Sequence, residues 1–198
     1  STLIAYAIGL PLGVILVVLA PGGLRPNKGA YKVLDFIVNI LRSVPFLILL
    51  ITIMPLTKLI VGKSYGPAAT IVPLAIAAAP FVARLVESSL LEVDKGVIEA
   101  AESMGAGLFT IIFKVLLAEA RTSLIVGATI ALGTILGYSA MAGVVGGGGL
   151  GNIAIQYGYY RNKLDVMYAA VIILIVIVQV LQMIGTAVSK KLDKRITD

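Results

Sequence analysis

Six of the chain's ten carboxylates, Glu87, Glu92, Asp94, Glu99, Glu102 and Glu119, fall within the one window 87–119, although 59% of the 198 residues are hydrophobic. The chain has no cysteine and no histidine, so thiolate nucleophiles, imidazole bases, disulfides and the commonest zinc ligands are missing. No residue is assigned a catalytic or metal-binding role, and the chain is not expected to be an enzyme. What the acidic window can do is non-covalent: it offers a charged, water-facing handle to an outside partner. Its centre reads Glu99-Ala100-Ala101-Glu102-Ser103-Met104-Gly105, followed after nine residues by Val115-Leu116-Leu117-Ala118.

Such a handle must be a short helix that does not fray when pushed. Asp94 is placed to cap a helix over 95–104, its carboxylate accepting from exposed amides and complementing the helix dipole. Ala100 and Ala101 keep that helix slim, Gly105 suits a left-handed C-cap, and a second helix from about Leu108 leads onward.

A mean hydropathy of +1.04 with 13% charged residues requires a lipid-facing exterior. Spans must then be helices of roughly 20 residues that satisfy their own backbone, and the absence of period-2 alternation argues against a barrel. The chain therefore reads as an all-α, polytopic membrane protein forming one domain. Five spans are expected at about 2–20, 34–56, 68–86, 122–142 and 166–188, with the loop 87–119 between the third and fourth. The first ends at Pro21-Gly22-Gly23, and the last two hold no charged residue over 21 and 23 positions.

If the first loop, the acidic loop and the C-terminus are cytoplasmic, twelve of the basic residues, Lys194 and Arg195 among them, lie on that side, and only Lys58, Lys63, Arg161 and Lys163 lie opposite. This satisfies the positive-inside rule and puts the N-terminus outside. The net charge of +6 thus reflects topology, and nucleic-acid binding is not expected.

Inside the spans, Pro11 with Gly9 and Gly13, Pro45 with Pro55, and Pro73 with Pro80 are expected to kink helices. Arg84 and Glu87, one turn apart, are expected to pair. Arg42 lies seven residues past Asp35, roughly 10 Å of helix rise, deep enough that it must either snorkel or face polar protein. Gly133 and Gly137 form a GxxxG pair suited to close helix approach or to a pore. Gln179 and Gln182 are expected to face inward. Gly62-Lys63-Ser64 copies only the tail of a phosphate-binding loop, with Thr57 where its first glycine belongs. Gly146, Gly148 and Gly151 match GxGxxG but follow a membrane helix in place of a strand; a turn or re-entrant segment where two subunits approach is the expectation.

The Glu99–Gly105 run, its spacing to Val115 and its place between two spans resemble the EAA loop of ABC importer permeases, whose pattern is EAA, three residues, Gly, nine residues, Ile, one residue, Leu-Pro. Val115 and Ala118 depart from it. Leu136-Gly137-Tyr138-Ser139-Ala140-Met141 and Gln156-Tyr157-Gly158-Tyr159 resemble the bacterial methionine-uptake type, and Arg42-Ser43-Val44-Pro45-Phe46 resembles a motif of amino-acid permeases.

The resemblance implies a type I importer permease of the bacterial inner membrane: a homodimer with two cytoplasmic ABC ATPase subunits and an extracytoplasmic substrate-binding protein, in contact with membrane lipid. It implies no cofactor in this chain, ATP and Mg belonging to the ATPase. Glu99, Ala100, Ala101 and Gly105 are assigned to ATPase coupling. Tyr138 and Ser139 are assigned to the substrate path and Met141 to its gate, where a flexible thioether can seal without a fixed shape. Ile8–Gly13 resembles the interior of the family's first span, so residues before Ser1 are expected; no basic leader or cleavage pattern suggests a signal peptide. The alternatives are an ion- or proton-coupled secondary transporter of a small apolar solute, disfavoured by the lack of ionisable residues in spans four and five, and an intramembrane enzyme using Ser or Asp.

Overall fold

The structure is a computed structural model that describes residues 1–192; Lys194 and Arg195, counted above as cytoplasmic, lie outside the described residues. Every regular element in it is helical: α1 Thr2–Leu19, α2 Lys28–Ser43, α3 Phe46–Thr52, α4 Met54–Val61, α5 Pro67–Leu91, α6 Lys95–Ser103, α7 Leu108–Thr110, α8 Leu117–Glu119, α9 Arg121–Met141, α10 Gly149–Ile153 and α11 Leu164–Leu192. Two π-helical stretches, Ile111–Leu116 and Ala154–Tyr159, and a 3₁₀ turn, Ala142–Val145, complete them.

Four helices are long and apolar enough to cross a membrane: α1, α5, α9 with its 3₁₀ extension, and α11. The expected second span is not one helix. It begins earlier, at Lys28, and α2 and α3 meet at a 99° bend. Pro45 is the cause: the residue before a proline is driven out of the helical region, and Val44 is extended at φ −78°, ψ 122°.

α2 is strongly two-sided, because Lys28, Lys32, Asp35, Asn39 and Arg42 recur at spacings of four and three residues. Val33, Phe36, Ile37 and Ile40 are exposed on another face. The prolines of α1 and α5 behave differently from Pro45. Pro11 in α1, and Pro73 and Pro80 in α5, are accommodated within uninterrupted helices.

The most buried helix is α5, wrapped by α1, α2, α3, α4 and α9. Gly9 and Gly13 are contact points here, not breakers. A Cβ on Gly9 would come within 2.6 Å of the Ala79 carbonyl oxygen, and one on Gly13 within 2.6 Å of the Ala83 carbonyl oxygen. Val14 and Val17 of α1 close the same seam against Val82, Val86 and Leu90.

α11 packs on α9, but not chiefly through the expected GxxxG pair. Gly133 faces Gln182 and Val178 at ordinary contact distance, while Gly137 faces open space. The tightest point is Gly185, whose added Cβ would lie 2.0 Å from Thr129 Oγ1. Of the two glutamines, Gln182 approaches Gly133 of α9, whereas Gln179 lies exposed.

The glycine-rich segment turns back so that α10 packs on the end of α9. Within the chain it makes close approaches of its own: Gly143 abuts the backbone of Gly151 and Asn152, and Gly151 abuts Ala140.

Gly13→Leu should strain the α1–α5 seam by about 1–3 kcal/mol and lower the thermal midpoint of the detergent-solubilised protein by roughly 5 °C or more. Gly29→Ala, whose nearest neighbour is the Asn27 side chain at 3.6 Å, should stay within about 3 °C of the parent. Static light scattering on heating reads both.

Candidate functional site

α6 is closed at both ends by its own sequence. At the start, the Gly96 amide donates to Asp94 Oδ1 at 2.6 Å. At the end, the Gly105 amide donates to the Glu102 carbonyl at 2.9 Å and the Ala106 amide to the Ala101 carbonyl at 3.0 Å. This nested pair is a Schellman closure, and it requires the left-handed backbone that Gly105 adopts, φ +80°. The expected capping residues therefore both do what their types suggest, and the helix is one residue shorter than anticipated.

The four coupling candidates do not share a surface. Glu99, Ala100 and Gly105 are exposed, whereas Ala101 is buried and packs within the chain. Its role is to hold α6 down: Ala101 and Ile98 belong to the core cluster with Ile111, Ile112 and Leu116 of the following π-helical stretch. α6 also borders a cavity of about 250 Å³ against the Ala20–Leu24 turn, with Lys95, Glu99 and Glu102 on its rim.

Three large apolar side chains extend the exposed surface beyond the acidic motif: Met104 at 82% exposure, Phe109 at 74% and Phe113 at 64%. Sequence reasoning passed over them. The available signal was large hydrophobes inside a window already read as water-facing, a combination that marks a contact surface.

Two tethers join this surface to the membrane helices. Ser123 Oγ of α9 donates to the Glu92 carboxylate just after α5. Further along α5, Arg84 pairs with Glu87 at 2.6 Å as expected, but it also reaches α2. There it donates to the Asp35 carboxylate and to Asn39 Oδ1, the latter at 2.9 Å. Tyr31 adds a long contact to Glu87 Oε1 at 3.5 Å.

Of the three path candidates, Tyr138 and Met141 lie one turn apart along α9 and Ser139 lies on another face. Tyr138 is half-buried and stacks on Phe46 of α3, ring centroids 4.7 Å apart and planes 7° from parallel. Ser139 and Met141 are exposed, about 200° apart around α9. Tyr138 shares a cavity of about 240 Å³ with Arg42, Phe46, Ala77 and Phe81. Among the described residues, no cluster of three or more carboxylates capable of holding a metal is present.

Residues 9–198 match the family described as binding-protein-dependent transport system inner membrane component. The chain is 53% identical to the probable D-methionine transport system permease protein of Vibrio cholerae over 97% of its own length and 85% of that protein's. It is 48% identical to the methionine import system permease protein of Bacillus subtilis, over 91% and 82% of the two chains. Among solved structures, it superposes on a chain of the MetNI methionine ABC transporter in an inward-facing conformation with a TM-score of 0.96 and 46% identity, covering 98% of this chain and 89% of that one.

Asp94→Ala removes the cap acceptor of α6 and should loosen the helix by about 1 kcal/mol. Hydrogen exchange should show the amides of α6 exchanging about five-fold faster, with those of α5 unchanged.

Proposed function

Because the chain belongs to the family of binding-protein-dependent transport system inner membrane components, we propose that it is the permease subunit of an ATP-driven methionine importer. One observation carries the reading: between α5 and α9 stands a nine-residue helix capped at both ends, with carboxylates and large apolar side chains exposed around it. A surface of mixed charge and grease, held rigid and linked to two spans, fits a protein partner better than it fits lipid or water.

The partner is a cytoplasmic ATPase subunit, one for each of two copies of this chain. Glu99 and Ala100 meet it directly, together with Met104 and the two phenylalanines. Ala101 and Gly105 serve the same contact indirectly, the first by seating α6 on the π-helical stretch and the second by closing its C-terminus. ATP and Mg are held and consumed in that partner, and this chain supplies the path. Displacement of α6 reaches α9 through the 108–119 segment and the Glu92–Ser123 tether, and reaches α5 through Val93 and Leu90, which share α6's core.

The second copy lies against the exposed stripe of α9 formed by Val126, Ile130, Gly137 and Met141, with Met141 as gate and Tyr138 and Ser139 along the path. The spans number five when the bent pair α2–α3 is counted as one, which supports an outside N-terminus and a cytoplasmic C-terminus. An extracytoplasmic binding protein delivers methionine to the outer face.

Purification from a native membrane should bring the ATPase along. Proteoliposomes holding the complex and the binding protein should take up methionine only with ATP, and uptake driven by an ion gradient alone would overturn the proposal. Gly105→Val forces a β-branched residue into the left-handed region, spoiling the closure of α6. Uptake should fall by about tenfold or more while ATP hydrolysis persists, and undiminished uptake would remove Gly105 from the coupling role.

A further inference from the structure

We infer that Arg42 binds the carboxylate of the transported amino acid in the cavity between α2, α3, α5 and α9, an assignment that rests on the import reading above. The cavity is lined by Arg42, Val44, Phe46, Ala77, Phe81 and Tyr138, among others. It carries one cation and no carboxylate.

Its place along α5 argues against the usual explanation of a membrane arginine, a side chain that snorkels to the interface. Ala77 and Phe81 bracket Ala79, the midpoint of α5, so the cavity lies about 18 Å of helix rise from either end of that helix. With α5 as a span across a hydrocarbon core of about 30 Å, that level is remote from headgroup phosphates. A guanidinium held there must face water, protein or a ligand.

The described residues of this chain do not supply the counter-charge. The polar stripe of α2 presents Asp35 and Asn39 in turn, and both are taken by Arg84. Arg42, the next member, is exposed and makes no ion pair or hydrogen bond among the described residues. The contrast is informative: the same two helices give one arginine three side-chain partners and leave the other open toward a cavity.

The rest of the lining suits the other end of an apolar amino acid. A planar guanidinium takes a carboxylate through two parallel hydrogen bonds, and the stacked rings of Phe46 and Tyr138 offer a surface on which a thioether packs favourably. The bend at Val44-Pro45 opens this space by turning α3 away from the line of α2.

The test uses the assembled complex of permease, ATPase and binding protein in proteoliposomes. Arg42→Gln should cut ATP-dependent methionine uptake by about tenfold or more, with ATPase activity and subunit assembly retained, and Arg42→Lys should recover part of it. Uptake by the glutamine variant equal to the parent's overturns the assignment alone. A parent complex that takes up no methionine overturns the import reading as well.

Should the glutamine variant not assemble, the unaltered complex decides. Phenylglyoxal modification of Arg42, read by peptide mass spectrometry during turnover, should be slowed by methionine and not by methioninamide, which lacks the carboxylate. Equal modification with and without methionine, or an Arg42 that never reacts because lipid or a second copy covers it, overturns the assignment.

Discussion

Helices surrounded by lipid gain little from leaving it, so a central helix is held by close packing and by polar contacts, not by exclusion from solvent. α5 obeys that constraint along its whole length. Its inner faces carry Ala69, Ala75, Ala78, Ala79 and Ala83, all nearly fully buried, and Gly9 and Gly13 of α1 let two backbones touch. The seam works because neither side presents a large side chain where carbonyl oxygens must pass. Where α11 meets α9, the same device appears as Gly185 against Thr129, but over a much smaller buried share. The fold is therefore graded, with a hub at α5 packed on most sides and a final helix packed on α9, α10 and the 154–159 stretch.

The polar half of the constraint is concentrated at Arg84. Its guanidinium draws Asp35 and Asn39 of α2 and Glu87 of α5 to one point, and Glu87 is itself nearly buried. Charges at this depth are tolerable only as a set, since removing one leaves the others without compensation. The cluster ties the bent α2–α3 pair to α5 two turns before α5 ends and the chain turns toward α6. It thereby links the segment that carries the open cavity of Arg42 to the segment that leads into the exposed helix.

Local chemistry was legible in the sequence and long-range chemistry was not. Asp94 and Gly105 could be assigned as caps because each acts on amides or carbonyls within a few residues, and Arg84 could be paired with Glu87 because they are one turn apart. Asp35 lies 49 residues from Arg84, and nothing in the composition of either segment ties them; only the periodic stripe on α2 hints that its polar face needs a partner. Gly9, Gly13 and Gly185 illustrate the same limit. A glycine in an apolar helix reads equally as a breaker or as a contact point, and only the neighbour decides. Pro45 bends the chain by 99° while Pro73 and Pro80 do not, because Val44 leaves the helical region whereas α5 is gripped on all sides.

A handle transmits displacement only if it is stiffer than the joint it drives. α6 meets the first condition through its two closures and its buried Ala101. The joint beyond it is of a different kind: the backbone runs through six residues of π-helix, and at Ala120 it relaxes to φ −78°, ψ 0° before α9 begins. Turns of this sort close their hydrogen bonds one residue further along than an α-helix does, and they recur at functional sites. Capped helix, π-helical joint and clamped hub thus follow one another along the chain, so in the proposed coupling a push on α6 would be spent on the angle of α9 against α5 and not on unravelling the helix that receives it.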